Sequence, residues 1–258
     1  MGRDFINKGN KTEPIRQHLV PKLYLKRFAI DGKFVYVKQR KTGTIFKANI
    51  DKIAVEKNFY TVNSLKDKYE WEKRYATIIE PQFQKMLQKV VFNGTTPLLK
   101  DRVNIISVTE KKILSLLIVF QMMRSKKVRE YEEKLYQKLG PEIITDTRRK
   151  LEIFNRHDML ERLDNYNFDY DLLKSILFEL HFDIDNIEKY ATILFEKKWL
   201  FYCIDLNSKM NFVSSDNPII VVDIKNINHG LFNCGIATHN AVIGFPISPN
   251  VLLGMYSN

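Results

Sequence analysis

Apolar and polar positions alternate along some stretches of this chain and recur at helical spacing along others, and the two periods divide it into three regions. Leu19 to Phe28 reads as a short helix opening at Pro21, a residue tolerated in a first helical turn. Leu23, Tyr24, Leu25 and Phe28 supply its apolar side, and Lys22, Lys26 and Arg27 its polar side. Lys33 to Gln39 alternates, Lys41-Thr42-Gly43 turns, and Thr44 to Ala48 returns, the signature of a hairpin. Asp51 to Phe59 is expected to be a short connecting helix.

Long helical stretches follow. Trp71, Tyr75, Ile78 or Ile79, Phe83, Met86 or Leu87, and Val90 recur with a helical period across Asp67 to Val91, with a kink expected at Pro81. Thr109-Glu110 makes a fair helix start for the run Ile113, Leu116, Leu117, Phe120, Met123, and a polar continuation reaches toward Leu139, with Gly140-Pro141 as its end. Pro141 to Arg156, Asp169 to Leu180, and Asp185 to Phe195, the last capped by Asp185, are further helices. Beyond Trp199 the period changes to that of strands: Trp199 to Leu206, Phe212 to Ser214, Ile219 to Val222, Asn240 to Gly244, and Val251 to Met255. The expected class is α+β. A central bundle of long helices packs on a mostly antiparallel sheet built from the N-terminal hairpin and the C-terminal strands. No linker or fixed-period repeat divides the chain, so residues 1–258 read as a single domain with a polar extension over 1–16.

Composition changes the picture in two respects. Lys and Arg number 41 against 30 Asp and Glu, a formal charge of +11 with pI near 9.4. That excess favours anionic partners, nucleic acid before acidic membrane surfaces, although the Lys-, Asn- and Ile-rich composition accounts for part of it. Two cysteines, Cys203 and Cys234, are too few for a disulfide framework and lack zinc-ligand spacing. The longest apolar stretch, Ile113 to Met123, is too short to span a bilayer. These features lead to an expectation of a cytoplasmic protein without a membrane segment.

Chemistry-bearing residues are few. Gln121 and Arg124 continue the Leu114, Leu117, Ile118 face of their helix, where a permanently charged guanidinium needs either an internal carboxylate or a bound anion. His18 stands at the mouth of the first helix and could exchange protons near neutral pH. Glu80 precedes Pro81 inside a kink. Asp216-Asn217-Pro218 breaks an extended run, as site residues at strand ends often do. His157, His181, His229 and His239 have no comparable setting and read as structural.

Taken together, His18-Leu19-Val20-Pro21-Lys22-Leu23-Tyr24-Leu25-Lys26-Arg27-Phe28, Asn58-Phe59-Tyr60, Glu80, Gln121-Met122-Met123-Arg124, Ser215-Asp216-Asn217-Pro218 and Phe245-Pro246-Ile247-Ser248-Pro249 resemble the bacterial domain-of-unknown-function family 4238. The resemblance spans about residues 17–253, and Ser125 departs from the Thr that follows the arginine in many relatives. It implies an architecture and a set of residues that belong to one pattern, not a reaction. The expected site is therefore a cleft where His18, Glu80, Arg124 and Asp216 are catalytic and Gln121, Asn217, Lys22 and Arg27 bind substrate. The leading expectation is a phosphodiesterase acting on nucleic acid, RNA favoured over DNA, of ribonuclease type and of a toxin or phage-defence kind. Magnesium is the ion expected if a metal takes part. The alternatives are a non-catalytic nucleic-acid or protein binding module whose polar residues form a structural network, and a hydrolase or transferase on a small anionic metabolite anchored by Arg124.

Overall fold

The structure, a computed structural model, describes residues 15–95, 105–164, 170–205, 207–225 and 235–257. It is α+β. Three small antiparallel arrangements of strand surround and face a set of helices, and the largest of them is made only of C-terminal strands.

That sheet has the order β5-β8-β7-β6, with β5 at Lys198–Cys203, β6 at Ile220–Asp223, β7 at Ala241–Ser248 and β8 at Val251–Tyr256. Strict alternation explains its inner face: Ala241, Ile243, Phe245 and Ile247 of β7, with Val251, Leu253 and Met255 of β8, are all fully buried. Helix α3 (Glu80–Thr95) lies against this face and contributes Phe83, Met86, Leu87 and Val90 to the same core. Helices α4 (Val108–Met123) and α8 (Ile184–Glu196) pack together and complete it with Leu114, Ile118, Ile187 and Leu194. Burial of so many aliphatic and aromatic side chains, each worth about 1.5–3 kcal/mol, dominates the stability of this half.

A second apolar cluster joins Leu19, Phe59, Tyr60 and Val62 to Trp71 and Tyr75, and to Leu173, Leu177 and Phe178 of α7 (Tyr170–Phe182). It contains a chain of four touching rings, with Tyr60 5.5 Å from Trp71 and 5.4 Å from Tyr75, and Trp71 5.5 Å from Phe178.

The first helix forms where expected, as α1 (Lys22–Leu25) and a 3-10 turn (Lys26–Phe28). The hairpin forms as β2 (Phe34–Lys38) and β3 (Ile45–Asn49), turned by Gly43 at φ 71°, but it pairs only with itself and not with the C-terminal sheet. The expected helix over Asp51 to Phe59 is absent. Val55–Lys57 is instead a strand, β4, pairing with β1 (Arg16–His18). Ala54 and Asn58 have φ of 49° and 56°, left-handed values that end any helix on both sides of the strand.

Proline has different consequences at its two helical positions. Before Pro81 the helix α2 (Glu70–Arg74) opens into a π turn over Tyr75–Ile79, the widening that relieves the ring's clash with the preceding turn. At Gly140-Pro141 the expected helix end does not occur, and α5 runs from Lys126 to Ile153. Gln137, whose carbonyl loses its donor to Pro141, is exposed, so water takes the donor's place. The break comes earlier, at Ser125, an N-cap whose hydroxyl accepts from Val128 N at 3.3 Å. Helix α4 is likewise entered through a full capping box, Ser107 with Glu110, rather than through Thr109. Asp183 rather than Asp185 caps α8, and α6 (His157–Asp164) fills the segment between α5 and α7. Phe212 to Ser214 is not a strand, and Leu206 lies outside the described residues. No described helix is long and apolar enough to cross a membrane.

Candidate functional site

The expected site residues divide into an inner group and an outer group. The inner group is organised by Arg124, at the C-cap of α4 and 2% exposed. Its guanidinium donates from Nη1 to Glu80 Oε1 at 2.9 Å, from Nη2 to the backbone oxygen of His18 at 2.6 Å, and from Nε to Tyr60 Oη at 3.2 Å. Tyr60 in turn donates to the backbone oxygen of Arg124 at 3.2 Å. The Tyr75 ring lies 4.6 Å from the guanidinium carbon, close enough for a cation–π contact. Burial works against the charge, but Tyr60, Glu80 and Tyr75 outweigh it and hold the group more firmly protonated than an ordinary arginine.

The sequence leaves Arg124 a choice between an internal carboxylate and a bound anion, and the structure supplies the carboxylate. Glu80, first residue of α3, is aimed at it across the end of the π turn. Every guanidinium nitrogen is thereby engaged. The partners found are all internal ones, in place of the bound anion that an oxyanion-stabilising or anion-anchoring arginine would hold. Gln121, one turn earlier on α4, is buried as well and donates to Leu19 O at 3.5 Å, so its expected contact with substrate is replaced by a contact with the β1–α1 backbone.

His18, like Glu80, keeps partial access to solvent. Its Nε2 lies 3.2 Å from the Ile50 carbonyl. A carbonyl only accepts, so Nε2 carries the proton and Nδ1 is the ring's acceptor. Burial lowers the imidazole pKa below its ordinary 6.5; the Ile50 carbonyl, Glu80 and Asp51 oppose this, and Arg124 adds to it. The ring is neutral at pH 7. Lys22, one turn along, pairs with Asp51 at the surface, and Arg27 donates to Gln84 O at 3.3 Å while its Nε is buried without a partner.

Asp216 and Asn217 form the outer group. Asp216 is exposed on the loop before β6 and interacts with Lys127, which also feels Arg40 of the hairpin. The charged groups acting most strongly on His18 are Glu80, Arg124 and Asp51, and Asp216 is not among them. The loop closes on itself: Ser215 Oγ accepts from Asn217 N at 3.1 Å and donates to Asn217 O at 2.7 Å. Ser214 ties it to the core by donating to Tyr24 Oη at 2.6 Å, while Tyr24 donates to Pro246 O at 2.6 Å. Glu80 is committed to Arg124 and Asp216 faces Lys127, so the two carboxylates are not assembled as joint magnesium ligands. Among the described residues no group of three or more His, Cys, Asp or Glu could hold a metal ion.

The family described as Protein of unknown function (DUF4238) matches residues 16–258. The chain belongs to this family. No curated protein and no solved structure matches the chain. The matched range takes in both the sealed Arg124 hub and the exposed Asp216 turn.

Several polar residues of the interior carry no signal of their own in the sequence. Gln17 is fully buried between β1 and the loop at Tyr60, accepting from Tyr60 N at 2.6 Å and donating to Thr61 Oγ1 at 3.2 Å. Arg129, in a charged run with Lys126 and Lys127, is 3% exposed, with its guanidinium carbon 4.4 Å from the Trp71 ring and 5.1 Å from Phe59. His181 bonds Glu132 at 2.9 Å beside the same Trp71. Glu72 is the most perturbed acid. Burial raises its pKa to about 7, against the pull of Arg124 and with Glu80 adding to the rise.

Proposed function

We propose that the protein is a phosphodiesterase acting on nucleic acid, RNA before DNA, with His18 as the proton-transferring group. The reading extends to a cytoplasmic toxin or phage-defence effector as its setting. The observation that carries it is the state of the His18 ring. One tautomer is imposed by the Ile50 carbonyl, burial keeps the ring neutral at pH 7, and the backbone beneath is clamped by Arg124. A neutral imidazole with Nδ1 as acceptor is a competent general base for a ribose hydroxyl or a water. Arg124 and Glu80 act here as positioning residues. Lys22, half-exposed on α1 and four residues after His18, can trade its surface partner Asp51 for a phosphate. The net charge of +11 gathers the polyanion.

A second reading is favoured by the sealing of Arg124 and Gln121: a non-catalytic binding module in which these residues only fix the fold. Incubating the purified protein with total RNA and with plasmid DNA, with magnesium or EDTA, separates the two. The first reading expects RNA cleavage that His18→Ala lowers by about 100-fold or more, with an acidic limb of kcat/KM, activity rising with pH, whose apparent pKa lies below 6.5. Binding without turnover by the intact protein under every condition would rule out the first reading in favour of the second.

A further inference from the structure

We infer that the outward face of the β2–β3 hairpin is a platform for single-stranded nucleic acid. The two faces of this ribbon differ in chemistry. Val35 and Val37 pack toward the core that holds α1 and the C-terminal sheet. The opposite face alternates out of phase with them and carries Phe34, Tyr36 and Lys38 of β2 against Asn49, Lys47 and Ile45 of β3 in direct register. Tyr36 is 67% exposed. A tyrosine ring so far from any core is costly to present to water and suits a partner with a flat apolar surface of its own. Lys47 stands opposite Tyr36 and places its ammonium 4.7 Å over the Phe34 ring, so aromatic faces and positive charge interleave at one-residue spacing.

The charge of the segment is one-sided. Between Asp31 and Asp51 the chain carries Lys33, Lys38, Arg40, Lys41 and Lys47 and no Asp or Glu. Exposed aromatic rings among unopposed cations are the recognition elements of single strands, in which bases stack and phosphates follow the basic track. A duplex keeps its base faces occupied and would leave Tyr36 unused. The ribbon also points somewhere. Arg40, in the turn at its tip, is within electrostatic reach of Lys127 of α5, so positive charge continues from the ribbon toward that helix. Lys33 and Ile50 close the other end through the Ile50 N to Lys33 O bond at 2.9 Å. Ile50 is the residue whose carbonyl holds His18. The ribbon is therefore joined at this end to the residue that orients the imidazole.

This inference rests on the nucleic-acid reading above but not on catalysis, and the two fail separately. Fluorescence anisotropy in EDTA, with a labelled 12-nucleotide single strand and the matching duplex as probes, measures it directly. The intact protein is expected to prefer the single strand. Tyr36→Ala weakens binding roughly tenfold or more, whereas Tyr36→Phe, which keeps the ring, binds like the parent. Lys38→Gln with Lys47→Gln lowers the slope of log K against log salt by about 1.4, two contacts at about 0.7 each. All three positions are exposed, so circular dichroism should show unchanged folding. Equal affinity of Tyr36→Ala and parent, tighter binding to duplex, or no binding of either probe overturns the platform. If RNA cleavage persists while Tyr36→Ala and the lysine variant bind normally, only the platform fails. If binding behaves as expected and no cleavage occurs, only the catalytic reading fails.

Discussion

Replacing Arg124 with methionine tests the assignment of this residue to the interior. Methionine keeps most of the stem's packing and removes the guanidinium. Three acceptors lose their donor at once: Glu80 Oε1, the His18 carbonyl and Tyr60 Oη. Breaking a buried ion pair from one side costs about 3–5 kcal/mol. Glu80 keeps 22% of its side chain exposed and recovers some hydration, which pulls the estimate toward the lower end of that range. The His18 carbonyl and Tyr60 hydroxyl add about 1–3 kcal/mol each if they stay dry. With both dry, a total loss of roughly 5 kcal/mol or more is expected, large against the ~5–15 kcal/mol of a whole protein. Arg124→Lys should be nearly as damaging, because a single ammonium does not reach three acceptors in different directions. Arg124→Met with Glu80→Met should cost less than the sum of the two single changes, since no carboxylate is then left without its cation. Urea unfolding followed by tryptophan fluorescence is the assay, with Trp71 reporting from beside Tyr60. A loss below about 1 kcal/mol in Arg124→Met, together with abolished activity, would refute the structural assignment and place the guanidinium on a substrate.

Glu72 should make stability depend on pH in the opposite sense to an ordinary ion-paired acid. Its pKa rises from 4.5 unfolded to about 7 folded, so between those values the folded state holds the extra proton and stability falls as pH rises. Glu72→Gln is expected to leave stability near pH 4 unchanged and to raise it above pH 8 by up to about 3 kcal/mol, read from urea midpoints at both pH values. Tyr24→Phe removes the hydroxyl that joins Ser214 to Pro246. It should cost about 1–3 kcal/mol and raise hydrogen exchange in the 214–218 loop, as mass spectrometry would show.

The elements legible from the pattern were those in which local and tertiary preferences agree. The 33–48 hairpin has alternation and a glycine at its turn; β7 and β8 alternate cleanly because one face is fully buried. Disagreement marks the failures. Val55-Glu56-Lys57 has no strand-like run of its own and becomes a strand because β1 offers an unpaired edge. Ser125 reads as one more polar residue of a long helix, and only its extended backbone, at ψ 144°, reveals a cap. The same limit applies to the site. A guanidinium on an apolar helix face announces that it needs an anion, but nothing in spacing tells that the anion is Glu80 or that Tyr60 and the His18 carbonyl complete the shell. Arg129 sits among Lys126, Lys127 and Glu130, where local composition says solvent; only the aromatic pair Phe59 and Trp71, far away in sequence, draws it inward.

Tyr24 bonds to Pro246, 222 positions later, and stacks on Phe245 at 5.6 Å. On the ribosome, therefore, the opening helix waits with its tyrosine and leucines uncovered until nearly the whole polypeptide has emerged. Contacts of such long sequence separation slow folding and prolong the exposure of sticky surface. Production of this protein should accordingly benefit from slow, cool synthesis, and shortening it from the carboxyl side to before Phe245 would leave the first helix without its seat.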